Sequence, residues 1–393
     1  MRSFLEVNFS VLEKNLSFLR SISRARKVLI PVKANAYGLG AVEISSFLKD
    51  KVDYLGFAVI EEALEVKYAQ KFTCNEVPGV DESISPSFLL LGQAFGEDIK
   101  KAIGNGVELT VSDVDFLREA ESYARKLGKP ALIHLKFDTG MGRIGFPVYE
   151  RGIEKAYEFL EEALRSKYVV VRGIYTHFPD AENDPDFTSH QFEVFGKIVE
   201  RARSVKPSII AHCANSAATL LESKYHLDMI RPGIAFYGSL PVADLSHPGL
   251  GKFADRIKPS VRWFAPITYL KDVPPGTTIS YGRTYTAKNR ERIATVSVGY
   301  HDGYARIMSG KAYVVCGGVK CPVVGRITMD QILIRIPDAL KDRVKVGESV
   351  LLLGEDEQNS ENSIRIEKMA SWSETCTHEV IARIGERVQR RYV

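Results

Sequence analysis

The first place where this sequence could do chemistry is a lysine at the end of an apolar run. Val28-Leu29-Ile30-Pro31-Val32 leads into Lys33, and Ala34-Asn35-Ala36-Tyr37-Gly38 follows at once. A lysine in such surroundings pairs with an acid, snorkels to water, or has its pKa lowered and works as an amine nucleophile or base. These three readings stay open on spacing alone. A second candidate is Lys136-Phe137-Asp138-Thr139-Gly140-Met141-Gly142-Arg143. Its glycines let backbone approach a ligand, and its arginine is suited to clamp an anion, although a solvated loop around a buried Lys-Asp pair fits equally. His177 closes the run Tyr175-Thr176-His177, where a lone histidine is usually structural. Asn215-Ser216-Ala217-Ala218 and Arg231-Pro232-Gly233-Ile234 offer hydroxyl and backbone N–H groups to a phosphate. Ser280-Tyr281-Gly282, Gly299-Tyr300-His301-Asp302-Gly303 and Gly325-Arg326-Ile327-Thr328-Met329-Asp330 set polar or aromatic groups beside glycine, a pattern most often found in turns.

The elements that must position these residues repeat one theme. Eight short apolar runs, 28–34, 53–59, 87–92, 107–112, 131–137, 169–178, 208–215 and 229–238, alternate with amphipathic stretches such as 60–70 and 113–128. Eight such units in roughly 210 residues predict an N-terminal (β/α)8 TIM-type barrel rather than a doubly wound sheet. Barrels carry reactive groups at the C-terminal ends of their strands, and often a phosphate site after strands seven and eight. The candidates fall at those ends. After about residue 250 strand-like segments follow one another with short turns, so a mainly-β domain over 251–393 is expected after a barrel domain over 1–250, with one amphipathic helix near the C-terminus.

Composition narrows the class. The chain has 393 residues, 45% hydrophobic and 26% charged, which excludes disorder, collagen and coiled coil. Its 53 basic and 49 acidic residues leave a net charge of +4 without a basic stretch, so neither nucleic acid nor a membrane surface is an expected partner. Five cysteines, Cys74, Cys213, Cys316, Cys321 and Cys376, show neither disulfide nor zinc spacing, and no metal is expected. Charged residues interrupt the N-terminal segment where a signal peptide is apolar, which predicts a cytoplasmic protein.

Taken together the motifs resemble the alanine racemases, pyridoxal 5'-phosphate enzymes built from a barrel and a β-domain. The resemblance covers nearly the whole chain. It rests on VKANAYG (32–38), KFDTGMGRIGF (136–146), IYTHF (174–178), ANSAA (214–218), RPGIAFYG (231–238), SYGRTYTA (280–287), VGYHDG (298–303) and GRITMDQ (325–331), in that order. It implies that Lys33 holds the cofactor covalently and is one of two acid–base groups, on the D-face of the substrate, with Tyr281 on the L-face. Racemisation needs two such groups, because the Cα proton leaves one face and returns to the other. The resemblance places the site between two subunits, so that Tyr281 and Met329 come from the partner in a homodimer. It assigns Tyr37, Ser216 and the amides of Gly233 and Ile234 to the phosphate, within a cofactor site that also includes Asn215. Arg231 faces the pyridine nitrogen, with His177 beside it. Arg143 reaches the cofactor's ring oxygen and the substrate carboxylate, helped by the Met329 amide, and Lys136 matches a lysine that some members carry as a carbamate. Tyr300 matches a tyrosine at the substrate entrance. The implied activity is interconversion of L- and D-alanine, supplying D-alanine for peptidoglycan.

Three positions depart from the family pattern. Leu39 replaces a usual histidine, Thr328 a frequent cysteine, and His378 a tyrosine that helps fix the phosphate and the catalytic tyrosine. The last makes a broad-specificity or serine-preferring racemase the main alternative. A decarboxylase of basic amino acids would use an acid where Arg231 stands, and a non-catalytic cofactor-binding barrel would lack the β-domain and Tyr281.

Overall fold

A computed structural model describes residues 2–73 and 86–393; Cys74 lies outside the described residues. The chain divides into two compact units, Phe18–Gly233 and a second formed by Ile234–Val393 with the residues up to Ser17.

The first unit is the expected barrel. All eight apolar runs supply a parallel strand: Lys27–Pro31, Tyr54–Phe57, Ser87–Leu90, Leu109–Val111, Ala131–Asp138, Val169–Tyr175, Ile210–His212 and Met229–Ile230. The ring is continuous. Leu29 pairs with Tyr54, Tyr54 with Ser87, Leu89 bridges to Glu108, Leu109 pairs with Ile133, Ala131 with Val169, and Gly173 with Ile210. The circle closes where Asp228 N donates to Ala211 O at 3.0 Å, Arg231 N to Ala214 O at 2.9 Å, and Met229 pairs with Lys27. Strands buried on both faces read as unbroken apolar runs, which is why periodicity found them. Several helices between them have legible ends. Asp113 caps Val114–Leu127 by accepting from Phe116 N at 2.8 Å, and Gly128 ends it in the left-handed region at φ 64°.

The predicted runs overshoot the strands at their C-terminal ends. Lys33 lies past its strand rather than inside it, and the run 229–238 keeps only Met229–Ile230. Pro232 has no N–H to donate to a ladder, and Ser239 N bonds Ile234 O at 3.1 Å in a turn instead.

The second unit is mainly β, but it does not begin at 251. Phe4–Val7 lies antiparallel to Val261–Val273, with Phe4 opposite Phe264, and parallel to Gln389–Tyr392. The stretch after Gly233 belongs here too: Ser260 Oγ donates to Tyr237 O at 2.7 Å and Leu240 N to the buried Glu367 carboxylate at 2.8 Å. The long 261–273 strand organises the sheet, pairing also with Ser349–Leu353 and Glu291–Val296. In place of one C-terminal helix there are two, Ile366–Ser373 and Thr377–Ala382, separated where Glu374 turns left-handed at φ 54°. No described helix is long and apolar enough to cross a membrane.

Candidate functional site

Lys33 opens an unusual turn. Ala34, Asn35, Ala36 and Tyr37 all adopt left-handed helical angles, with φ of 53°, 53°, 52° and 58°. For residues bearing a Cβ this costs about 1–2 kcal/mol each, so the neighbourhood must hold the turn in place. Glu62 does much of this: its carboxylate accepts from Ala34 N at 2.7 Å and from Ala58 N at 2.9 Å. Asn35 Oδ1 accepts from Ala41 N at 2.7 Å and closes the exit. The turn drives Tyr37 inward, where burial pushes its phenol up to about 12. Its hydroxyl stands 2.6 Å from where a Cβ on Gly233 would sit, so glycine at 233 is required by close approach rather than by a turn. Burial lowers the pKa of the Lys33 amine, the Arg143 cation lowers it further, and Glu62 opposes both.

The second candidate loop is organised by Asp138. Its Oδ1 accepts from the backbone N–H of Gly140, Met141 and Gly142 at 2.8–3.1 Å, and its Oδ2 from that of Arg143 at 3.2 Å. This carboxylate therefore shapes the loop rather than pairing with Lys136. Lys136 is 3% exposed, with its ammonium 5.3 Å from the centre of the Tyr175 ring. Burial, and then the Arg143 and Arg231 cations, push its amine down to about 7.

That shift has a measurable sign. An unfolded lysine titrates near 10.4, so between about pH 7 and 10 the unfolded chain binds more protons and stability rises with pH. In CO2-free buffer the wild type should gain roughly 2 kcal/mol relative to Lys136→Met between pH 7 and 9, at ~1.4 kcal/mol per unit. Parallel urea-unfolding curves for the two proteins at both pH values would contradict it.

Arg231 occupies the barrel's interior. Its Nη2 donates to Thr176 O at 3.0 Å and Cys213 O at 3.2 Å, and lies 3.2 Å from His177 Nδ1. Because a guanidinium only donates, His177 Nδ1 accepts and its proton sits on Nε2. Burial, with Arg231 and Arg143 close by, holds His177 well below the ordinary histidine range, so it is neutral at physiological pH. Asn215 caps the helix Ser216–Leu221, its Oδ1 accepting from Ala218 N at 3.0 Å, while Ser216 is buried in that helix's first turn.

The β unit carries the other candidates. Tyr281 is 73% exposed, on a turn whose flanking Ser280 and Gly282 have φ of 64° and 69°. Ser280 Oγ donates to Arg326 O at 2.6 Å, and Gly325 leaves no room for a Cβ beside Ser280. The structure brings the Tyr300 and Met329 segments together: Tyr300 N donates to Thr328 O and His301 N to Met329 O, over a Gly299 whose Cβ would strike the Met329 carbonyl. Tyr300 is 40% and Met329 52% exposed, and His378 is half-buried in the helix Thr377–Ala382. Sequence reasoning missed Glu62, and with it Glu108, His134 and His212; a charged or imidazole side chain inside an apolar strand run was the available signal for the last three.

The sequence profile described as "Alanine racemase, N-terminal domain" matches residues 7–241, and "Alanine racemase, C-terminal domain" matches 260–392. The chain belongs to the alanine racemase family. It is 35% identical to an alanine racemase 2 of Caldanaerobacter subterraneus subsp. tengcongensis, over 99% of this chain and 94% of that protein. It is 34% identical to an alanine racemase of Methanococcus maripaludis, over 99% and 98%. Among solved structures, the alanine racemase of Clostridium difficile 630 superposes with a TM-score of 0.85 at 32% identity, covering 100% of this chain and 96% of that one. The Bacillus anthracis alanine racemase with bound L-Ala-P gives 0.84 at 29%, covering 100% and 95%. The resemblance read from eight motifs is thus the family, and the barrel with its mainly-β partner is the family's architecture.

Proposed function

We propose that this chain racemises alanine with pyridoxal 5'-phosphate, as a cytoplasmic homodimer whose sites are shared between subunits. The observation that carries the reading is Lys33: an amine whose pKa is lowered by burial, directly after the first barrel strand, on a turn that presses Tyr37 against Gly233. The donor set suits the cofactor. Tyr37, Ser216 and the amides of Gly233 and Ile234 would hold the phosphate, Arg231 the pyridine nitrogen, and Lys33 the carbonyl carbon. When bound, the cofactor supplies the electron sink that makes the substrate's Cα–H acidic.

Lys33 Nζ then exchanges a proton on one face of Cα, and Tyr281 Oη of the partner subunit exchanges it on the other. Arg143 anchors the substrate carboxylate, helped by the Met329 amide of the partner subunit, with Lys136 behind Arg143 as the residue that orients it when carbamylated, and Tyr300 at the entrance limits access. Arg231 keeps its protons, so it would donate a hydrogen bond to the ring nitrogen without protonating it. The relatives' ligands point the same way: the Clostridium difficile protein is a complex with cycloserine and the Bacillus anthracis protein holds L-Ala-P.

The test is Cα proton exchange in deuterated water, followed by NMR with cofactor and separate L-alanine, L-serine and L-lysine, with chirality analysed afterwards. Deuterated D-alanine formed well ahead of the others is the expected result. Comparable serine turnover would establish the broad-specificity reading instead, and a bound cofactor without exchange would favour a carrier. His378 bears on that choice. His378→Tyr should raise the alanine-over-serine rate ratio, and an unchanged ratio would show that this position does not set the pocket.

A further inference from the structure

A line of buried polar side chains crosses the barrel interior, and beyond its first member, Arg231, it has no part in the mechanism above. Arg231 Nη1 lies 2.8 Å from His212 Nδ1, His212 Nε2 lies 2.8 Å from His134 Nδ1, and His134 Nε2 lies 2.8 Å from Glu108 Oε2. None of the four is more than 5% exposed. Glu108 precedes the fourth strand, His134 sits inside the fifth, His212 ends the seventh, and Arg231 follows the eighth. The line therefore runs from the N-terminal end of the barrel to the C-terminal end, where barrel enzymes work. Beyond Glu108 stands Arg172, 3.7 Å away and about half exposed.

The ends of the line decide its proton order. A guanidinium has donors only and an ionised carboxylate has acceptors only, whereas a neutral imidazole has one of each. Arg231 must donate to His212 Nδ1, so His212 carries its proton on Nε2 and gives it to His134 Nδ1. His134 in turn carries its proton on Nε2 and gives it to Glu108. A proton added to either ring would set N–H against N–H, so both stay neutral. One arrangement satisfies all three contacts, and its bonds point the same way.

Neighbours are fitted to this line. Tyr175 stacks on His212 with centroids 4.7 Å apart and planes at 8°, and its hydroxyl bonds Thr110 Oγ1 at 2.7 Å. A Cβ on Gly173 would lie 2.4 Å from His134 Nδ1, so glycine admits that ring. Tyr54 meets His134 edge-on.

We propose that Glu108 is a positioning residue: through His134 and His212, its carboxylate fixes the direction in which Arg231 donates at the opposite end of the barrel. Glutamine at 108 removes the constraint, because its amide can also donate to His134 Nε2. Where it does, the line reverses, a His212 N–H meets an Arg231 N–H, and the guanidinium shifts, while molecules whose glutamine oxygen faces His134 keep the original order. The effect on turnover rests on the racemase reading above, whereas the proton order does not.

The experiment uses the full chain labelled with 15N-histidine, with and without pyridoxal 5'-phosphate, and assigns the two rings by single His134→Gln and His212→Gln spectra. At neutral pH both rings should be neutral Nε2–H tautomers, as the donor and acceptor ends of the line require. A proton on Nδ1, or an imidazolium, at either ring would overturn the proposal, and this wild-type measurement decides it even if substitutions at 108 impair folding. Glu108→Gln should mix the tautomers and lower kcat about 10- to 100-fold with KM within about twofold, and Glu108→Asp should recover much of the loss. Wild-type tautomers and kcat in Glu108→Gln would likewise refute it. Nε2–H signals in a wild-type protein that does not exchange alanine would support the line while removing the racemase reading.

Discussion

Lys33→Ala should lower alanine racemisation by at least ~10⁴-fold, because one substitution removes both the covalent anchor of the cofactor and the acid–base group of one face. The expected loss is of chemistry more than of binding. Tyr37, Ser216, Arg231 and the amides of Gly233 and Ile234 remain, so the variant should still take up pyridoxal phosphate without forming the visible chromophore of the covalent adduct. The turn should survive as well, since the left-handed residues Ala34–Tyr37 are held by Glu62, Asn35 and backbone bonds rather than by the lysine side chain. An absorbance titration of the variant, set beside a racemisation assay, separates these effects. More than about one part in a hundred of wild-type turnover would place the anchor elsewhere.

How much of this was legible in the sequence follows from how far each constraint reaches along the chain. The eight strands were visible because a barrel strand is buried on both faces and its apolar run is local. Their C-terminal limits were not, because the residues that end them, Lys33, His177 and Arg231, are placed by what surrounds them rather than by a turn signal. The N-terminal strand Phe4–Val7 was missed for a related reason. It is four residues long, and its partners Val261–Val273 and Gln389–Tyr392 lie more than 250 residues away. The motifs named most of the candidate residues through their order and type. They gave no hint of Glu62 beneath the Lys33 turn, nor of Glu108, His134 and His212, which meet only once the barrel closes. Gly233 was read as a phosphate donor, and the structure adds that it makes room for Tyr37.

Two inactive variants should restore each other. Tyr281→Ala leaves the covalent anchor and its absorbance intact, yet should stop the exchange that begins from L-alanine, losing on the order of 10²- to 10⁴-fold. The proposed site takes Lys33 from one subunit and Tyr281 from the other. A heterodimer of the Lys33→Ala and Tyr281→Ala chains then holds one site lacking both groups and one site lacking neither. Random re-association of equal amounts makes half the dimers mixed, with half their sites whole, so about a quarter of wild-type activity should return. The geometry of Tyr281 is the physical reason to expect this. Its ring is 73% exposed on the β unit, and the nearby turns leave Met329 52% exposed as well. A phenol works as a base at neutral pH only if its neighbours favour the ionised form, and in this proposal the Arg231 guanidinium of the opposing barrel supplies the charge while neutral His177 donates from Nε2. Mixed variants that stay inactive after dissociation and re-association, under conditions where wild type recovers, would mean that each chain builds its site alone.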